Sequence, residues 1–317
     1  EGKNPEIELE GMKRTEQSKA ITVQELFPDF MKRHGALRSK SMQRSYRISL
    51  KNVCRCQSIA NVPIGSITKS QVHDYMQARM NDDGVSASTV NKDAAFLKCL
   101  MSKAVEWEVL EHNPLKGMKL FPESGKRDVF LSPEQAALLI QELSEPIGNI
   151  VEFAIYTGFR KENILGLKIS SIRFHDLTST GEVELVVKGG KRELFPLSPQ
   201  AVKVAKRAMG NRRDGYVFIN PVTGSRYSSI HKGFDCVVRR LDLKIANDSK
   251  LRFHDLRHIF ATWLHKQGVS LDILRFLLGH KERSTTDRYT SVDRLNTGKV
   301  LELIPDLREL ALKKNVS

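Results

Sequence analysis

Apolar residues recur at helical spacing along nearly all of this 317-residue chain, and the period changes in one stretch, GEVELVVKGGKRELFPL (residues 181–197). There short runs alternate around Gly189-Gly190, the pattern of a β-hairpin. A chain patterned in this way is mainly α-helical, with one small antiparallel sheet in its second half.

Before the period changes, the helices can be placed one by one. Val23, Leu26, Phe27 and Phe30 mark one face of a helix in TVQELFPDFMKRH. Lys40–Val53 reads as a second helix, with Lys40, Arg44, Arg47 and Lys51 on a basic face. A third opens at the N-cap Thr68 and runs to about Met80. A fourth spans Ser86–Trp107, opening on a Ser/Thr cap and continuing through Leu97, Leu100, Met101 and Ala104 until Asn113-Pro114 ends the run. FPESGKRDV (121–129) combines Pro, Gly and charge and reads as a linker.

After it, Ser132 is an N-cap with Pro133 at the first helical position. A helix around Ile150–Thr157 precedes the hairpin. Helices resume from about Pro199 and Ser229, and at His254–Gln267, Asp272–Leu277 and Thr286–Asp293. A tail from about residue 294 repeats Val300, Leu303, Ile304, Leu307 and Leu310 at helical spacing, with Pro305 opening a short second helix. That apolar stripe suits docking either on a neighbouring protomer or on its own domain. The expected domains are a flexible tail at 1–20, a helical domain at 21–122 and a second domain at 123–317.

Charge narrows the partners. The net charge is +14, and both large segments are basic, so a polyanion can be gripped along the whole molecule. Forty per cent apolar and 28% charged residues indicate a globular chain and exclude a disordered one. No run of about 18 apolar residues indicates a membrane span, and the N-terminus lacks the apolar core of a secretory signal. A cytoplasmic location is therefore expected. The four cysteines form no CxxC pair and have no histidine cluster nearby, which fits idle thiols in a reducing compartment. No carboxylate cluster points to a metal and no P-loop to a nucleotide, so no cofactor is expected.

The chemistry-bearing residues are individually ordinary. Arg160 ends an apolar helix in YTGFRKEN, and Lys188 lies in VVKGGKRELFPL. His254 and Arg257 lie three apart in HDLRH, on one helix face. Tyr289 follows His280 by nine residues in LLGHKERSTTDRYT. Together, two arginines, a lysine, two histidines and a tyrosine form the set that cutting a phosphodiester with a tyrosine requires. The phenol oxygen can bond covalently to phosphorus, and the arginines can neutralise the non-bridging oxygens.

In order and spacing these motifs resemble the tyrosine recombinases of the phage integrase family, over roughly residues 21–293. The TGFR, HxxR and LGH motifs and the final tyrosine match the family's at Arg160, at His254 and Arg257, at Gly279 and His280, and at Tyr289. The family's hairpin lysine matches Lys188, with Lys191 a nearby competitor. The resemblance implies an N-terminal helical core-binding (SAM-like) domain and a C-terminal α+β catalytic domain. It implies attack by Tyr289 to give a 3′-phosphotyrosyl enzyme and a free 5′-hydroxyl. His254 would serve acid–base work, Lys188 would protonate the leaving oxygen, Arg160 and Arg257 would clamp the phosphate, and His280 would donate to it. Double-stranded DNA and a homo-tetramer on synapsed sites are the implied partners, with accessory DNA-bending proteins as further candidates. For DNA contacts the first domain offers Lys40, Arg44 and Arg47 on one helix and Ser88, Asn91 and Lys92 near the start of another. One position departs from the pattern: Asn163 stands where the family usually has an acidic residue, with Glu162 beside it. Competing readings are a type IB topoisomerase and a DNA-binding factor without catalysis.

Overall fold

Side-chain caps start the helices where the sequence places them. In the computed structural model, which describes residues 21–123, 129–187, 190–245, 249–279 and 298–314, Thr22 and Glu25 form a capping box at the head of α1 (Val23–Arg33). Ser39 caps α2 (Lys40–Val53), and a Thr68–Gln71 box caps α4 (Lys69–Asp82). Between them lies a one-turn helix, α3 (Gln57–Ala60), too short to show a period in sequence. α5 (Ala87–Glu106) starts differently from expectation. The Ser86 hydroxyl turns to the Thr89 hydroxyl at 3.1 Å and leaves the backbone amides uncapped by its side chain.

The chain divides into two compact units, Glu1–Lys126 and Arg127–Ser317. In the first, Val23, Leu26 and Phe30 pack with Phe96, Leu97 and Leu100. Phe30 meets Tyr46 and Phe96 edge-on, at 5.0 and 5.9 Å between ring centres. Asp93, almost wholly buried, ties three helices together. It accepts from the Tyr75 hydroxyl at 3.0 Å, from Arg79 at 3.1 Å and from Asn52 at 3.2 Å. A buried carboxylate is tolerated because donors, one of them the charged Arg79, reach it from two neighbouring helices.

The second unit opens with α6 (Pro133–Glu142), capped by a Ser132–Gln135 box, and α7 (Glu145–Thr157), which begins five residues before the expected start. After α8 (Lys161–Leu165) come β1 (Ile172–His175), β2 (Thr180–Val186) and β3 (Arg192–Leu197) in an antiparallel sheet of order β1-β2-β3. The expected hairpin is β2–β3, with Val183 opposite Phe195. Gly181, Val183 and Leu185 face the core while Glu182 and Glu184 face outward. Pro196 is accommodated because β3 is an edge strand. Two findings correct the one-hairpin expectation: β1 adds a third strand, and β4 (Lys244–Ile245) pairs with β5 (Ser249–Lys250) as a second tiny sheet. Four- and two-residue strands carry too few alternations to be read.

α9 (Pro199–Met209), α10 (His231–Arg240), α11 (Asp255–Lys266) and α12 (Leu271–Leu277) follow near their expected starts. The helix expected at 286–293 lies outside the described residues.

The C-terminal stripe packs on its own unit. Leu301, Ile304 and Leu307 join the core, Val300 and Leu310 pack against it, and Leu303 faces solvent. At the start of α13 (Leu307–Lys314), the Leu307 amide donates to the buried Tyr156 hydroxyl at 2.9 Å. Arg308 and Arg207 both reach the buried Glu152, at 2.9 and 2.5 Å. Burial pushes the Glu152 carboxyl above its usual range while the two guanidiniums pull it back. Removing this carboxylate leaves the two arginines with only the neutral Asn149 Oδ1 as a shared acceptor. Glu152→Ala should therefore cost about 3 kcal/mol, the lower end for a broken buried pair because both arginines also reach solvent. Chemical denaturation reads the loss, and faster trypsin cleavage at residues 308–314 would show it at the tail.

Candidate active site

α7 is mostly apolar in its second half, and every residue from Gly148 to Thr157 is buried. Such a helix must be stopped sharply if a charged residue is to follow it. Gly158 does this in the left-handed region at φ 62°, its amide donating to Ala154 O at 2.9 Å. A Cβ here would lie 2.4 Å from the Phe260 ring on α11, so the chain leaves α7 where only glycine fits. Two residues later Arg160, half-buried, is the N-cap residue of α8. Among the described residues no carboxylate pairs with Arg160; Glu162 lies 3.6 Å from Lys161 instead. The Asn163 amide closes the first turn onto Arg160 O at 2.9 Å.

α11 supplies the next two groups. Asp255 is buried and accepts from the Arg252 amide at 2.8 Å, fixing the entry to the helix. His254 just before it is exposed. Arg257, 7% exposed, points inward as a cross-brace. It donates to Gly158 O at 2.8 Å and to Leu278 O at 2.5 Å. The same side chain thus holds the turn that presents Arg160 and the turn that leads to His280. Gly279 completes the junction at φ 59°, where a Cβ would lie 3.2 Å from Phe195 and 3.5 Å from Val187. The TGFR turn, α11, the LG turn and the β-hairpin therefore meet at one place.

Lys188 follows Val187 in the chain and His280 follows Gly279, but Lys188, His280 and Tyr289 themselves lie outside the described residues. The competing lysine, Lys191, is exposed and sits 3.2 Å from Glu193.

The electrostatics are those of a cationic cluster. Burial, and then the charge on Arg160, push Arg257 down to about 10, so it stays protonated at neutral pH. His254 is held below the ordinary histidine value of 6.5, first by partial burial and then by His258, Arg257 and Arg160, with Asp255 opposing. Its imidazole is therefore neutral at pH 7 and can take a proton. As pH falls through the lowered value the ring charges and that capacity is lost.

Sequence reasoning missed three neighbours. His258 lies one helical turn beyond His254, with ring centres 5.5 Å apart; its spacing was a usable signal. Lys161 approaches His231 at 3.2 Å across 70 residues, and Phe260 packs over Gly158; neither carried a signal.

In the first unit Lys40, Arg44 and Arg47 are exposed on α2, Lys92 is exposed on α5 and Ser88 is half-exposed. Asn91 is a correction. It is 4% exposed, accepts from the Phe121 amide and donates to Phe121 O, both at 2.9 Å, and it also donates to Glu123 at 3.1 Å. Its amide tethers the chain after α5 and is withdrawn from the DNA-contact set.

A buried, backbone-anchored arginine beside a second arginine and a neutral histidine suits chemistry on a phosphodiester. Comparison with known proteins agrees. Residues 129–295 match the phage integrase family and residues 22–120 its SAM-like domain. The chain is 31% identical to the integrase of Salmonella phage P22 over 203 residues, 62% of this chain and about half (51%) of that protein. It is 27% identical to the tyrosine recombinase XerC of Proteus mirabilis over 274 residues, 81% of this chain and 85% of XerC. Among solved structures, a lambda integrase dimer bound to a COC′ core site superposes with a TM-score of 0.70 at 17% identity, covering 91% of this chain and 81% of that one. The Tn1549 transposon integrase in complex with circular intermediate DNA superposes at 0.65 and 18% identity, covering 87% and 98%. The chain belongs to the phage integrase family and is a site-specific tyrosine recombinase, a DNA strand-transferring enzyme.

Proposed function

We propose that this recombinase integrates or excises a mobile DNA element by cutting each strand with Tyr289. The phenol oxygen attacks the phosphorus, the bond to the 5′-oxygen breaks, and a 3′-phosphotyrosyl link stores the energy of the broken strand. The phenol proton passes to neutral His254, and Lys188 protonates the departing 5′-oxygen. Arg160 and Arg257 take the non-bridging oxygens, with a hydrogen bond from His280. Attack by a 5′-hydroxyl from the partner duplex reverses these steps and completes the exchange. The observation that carries this reading is the fixed Arg257 guanidinium, joined to the Arg160 turn through Gly158 O and flanked in sequence by a neutral His254.

Double-stranded DNA is the substrate in this proposal, held in part by Lys40, Arg44, Arg47, Ser88 and Lys92. Phosphate contacts of this kind position the protein and make binding salt-dependent. A homo-tetramer on two synapsed sites, with accessory DNA-bending proteins, is the proposed working assembly. It is supported by the lambda integrase tetramer bound to a Holliday junction, to which the chain is similar in fold. A cytoplasmic location is proposed for it; no described helix is long and apolar enough to cross a membrane.

The test is a duplex nicked beside the cleavage site, so that the cut fragment diffuses away and the covalent complex accumulates. The wild type should trap protein–DNA adduct, and Tyr289→Phe should trap none. An adduct at wild-type level with Tyr289→Phe removes the nucleophile assignment, and no adduct with either leaves a DNA-binding factor. Product joining two sites separates recombination from relaxation of one.

A further inference from the structure

We propose that His258 acts through His254 in the cleavage reaction: it stands against that ring one helical turn on and governs when His254 can accept the Tyr289 proton. The proposal rests on the reading of His254 as the proton acceptor, and it adds a residue to which that reading gives no part.

The geometry is specific. His254 and His258 are four residues apart at the N-terminal end of α11, and so lie one above the other on the same face. Their rings meet edge to face, with centres 5.5 Å apart and planes at 85°. Both are exposed, whereas the residues between and around them (Asp255, Leu256, Arg257, Ile259 and Phe260) are buried. The two imidazoles are thus the exposed face of this helix start. An edge-to-face contact limits how the His254 ring can turn, and with it the direction of its proton-accepting nitrogen.

The second ring also sets charge. Among the groups facing His254, the helix supplies His258, Arg257 and Asp255, and the turn after α7 supplies Arg160. Three of these disfavour a charge on His254 and Asp255 alone favours one, with His258 the strongest of the charged neighbours. Arg160 and Arg257 are assigned to the phosphate. His258 is the neighbour left without such a role. Charge at position 258 opposes charge on the His254 ring, so removing it or fixing it changes what His254 experiences.

The experiment follows the His254 ring by NMR in the histidine-labelled full chain, its resonance assigned by its disappearance in His254→Gln. His258→Gln removes the neighbouring charge, and His258→Lys makes it permanent. The expected His254 midpoint lies about half a unit higher in the first and about half a unit lower in the second. The acidic limb of the adduct-forming rate on the nicked duplex should move in the same two directions. An exposed residue that merely fills space would move neither. A His254 midpoint unchanged in both variants overturns the proposal. If the midpoints move but His254→Gln still forms adduct at the wild-type rate, the assignment of His254 as proton acceptor fails instead.

Discussion

Arg257→Ala is expected to slow single-turnover strand cleavage by at least about 100-fold, the loss typical of one preorganised donor to a developing oxyanion. The structure argues for the upper part of that range, because two functions leave together. The guanidinium is proposed to hold a phosphate oxygen, and it donates to Gly158 O and Leu278 O. Without it both carbonyls lose a partner, and the turns carrying Arg160 and preceding His280 lose their common anchor. Arg257→Lys should recover little. A single ammonium cannot reach two carbonyls and a phosphate with the planar fork of a guanidinium. Quench-flow cleavage of the nicked duplex at saturating DNA reads the effect. A lysine variant within about tenfold of wild type would show that charge alone suffices at this position.

Gly158→Ala is expected to be the most damaging small substitution in the second unit. The left-handed backbone at φ 62° costs a non-glycine residue about 1–2 kcal/mol. A Cβ placed 2.4 Å from the Phe260 ring then forces a core side chain aside, which adds about 1–3 kcal/mol. Gly224 separates the two terms. It has φ 65° with nothing within 4 Å of a Cβ, so Gly224→Ala carries the backbone strain alone. Urea denaturation should rank Gly158→Ala well below Gly224→Ala. Arg160 starts the next helix two residues after Gly158, so cleavage should fall in the first variant and hold in the second. Equal stability of the two would mean that Phe260 yields without cost.

What could be read from sequence was local. Thr68 and Ser132 announced their helices as N-caps, while the box partners Gln71 and Gln135 that complete those caps emerged only from the structure. The β2–β3 hairpin was legible because one turn joins two alternating runs. The candidate site was legible as residue types in order, but not as a mechanism of positioning. The bond from Arg257 to Gly158 O spans 99 residues, and the Lys161–His231 approach spans 70. No local pattern encodes either. Asn91 misled for the same reason: its place near the start of α5 suggested an exposed contact, while chain 30 residues on folds back and buries it. The C-terminal stripe showed that it would dock, but the buried Glu152 and Tyr156 that receive it lie about 150 residues away.

One phenol, Tyr289, is proposed to form the covalent bond to DNA. The chain has six tyrosines. Tyr75 and Tyr156 are buried, and burial raises their phenols above the ordinary value, which makes them poor nucleophiles. Tyr46, Tyr216 and Tyr227 retain some exposure and are the real competitors. The most direct measurement is to trap the adduct on the nicked duplex, digest protein and DNA, and locate the nucleotide-bearing peptide by mass spectrometry. A single modified peptide is expected, with a 3′-phosphonucleotide on Tyr289. The same mass on Tyr46, Tyr216 or Tyr227, or on a serine, would contradict it.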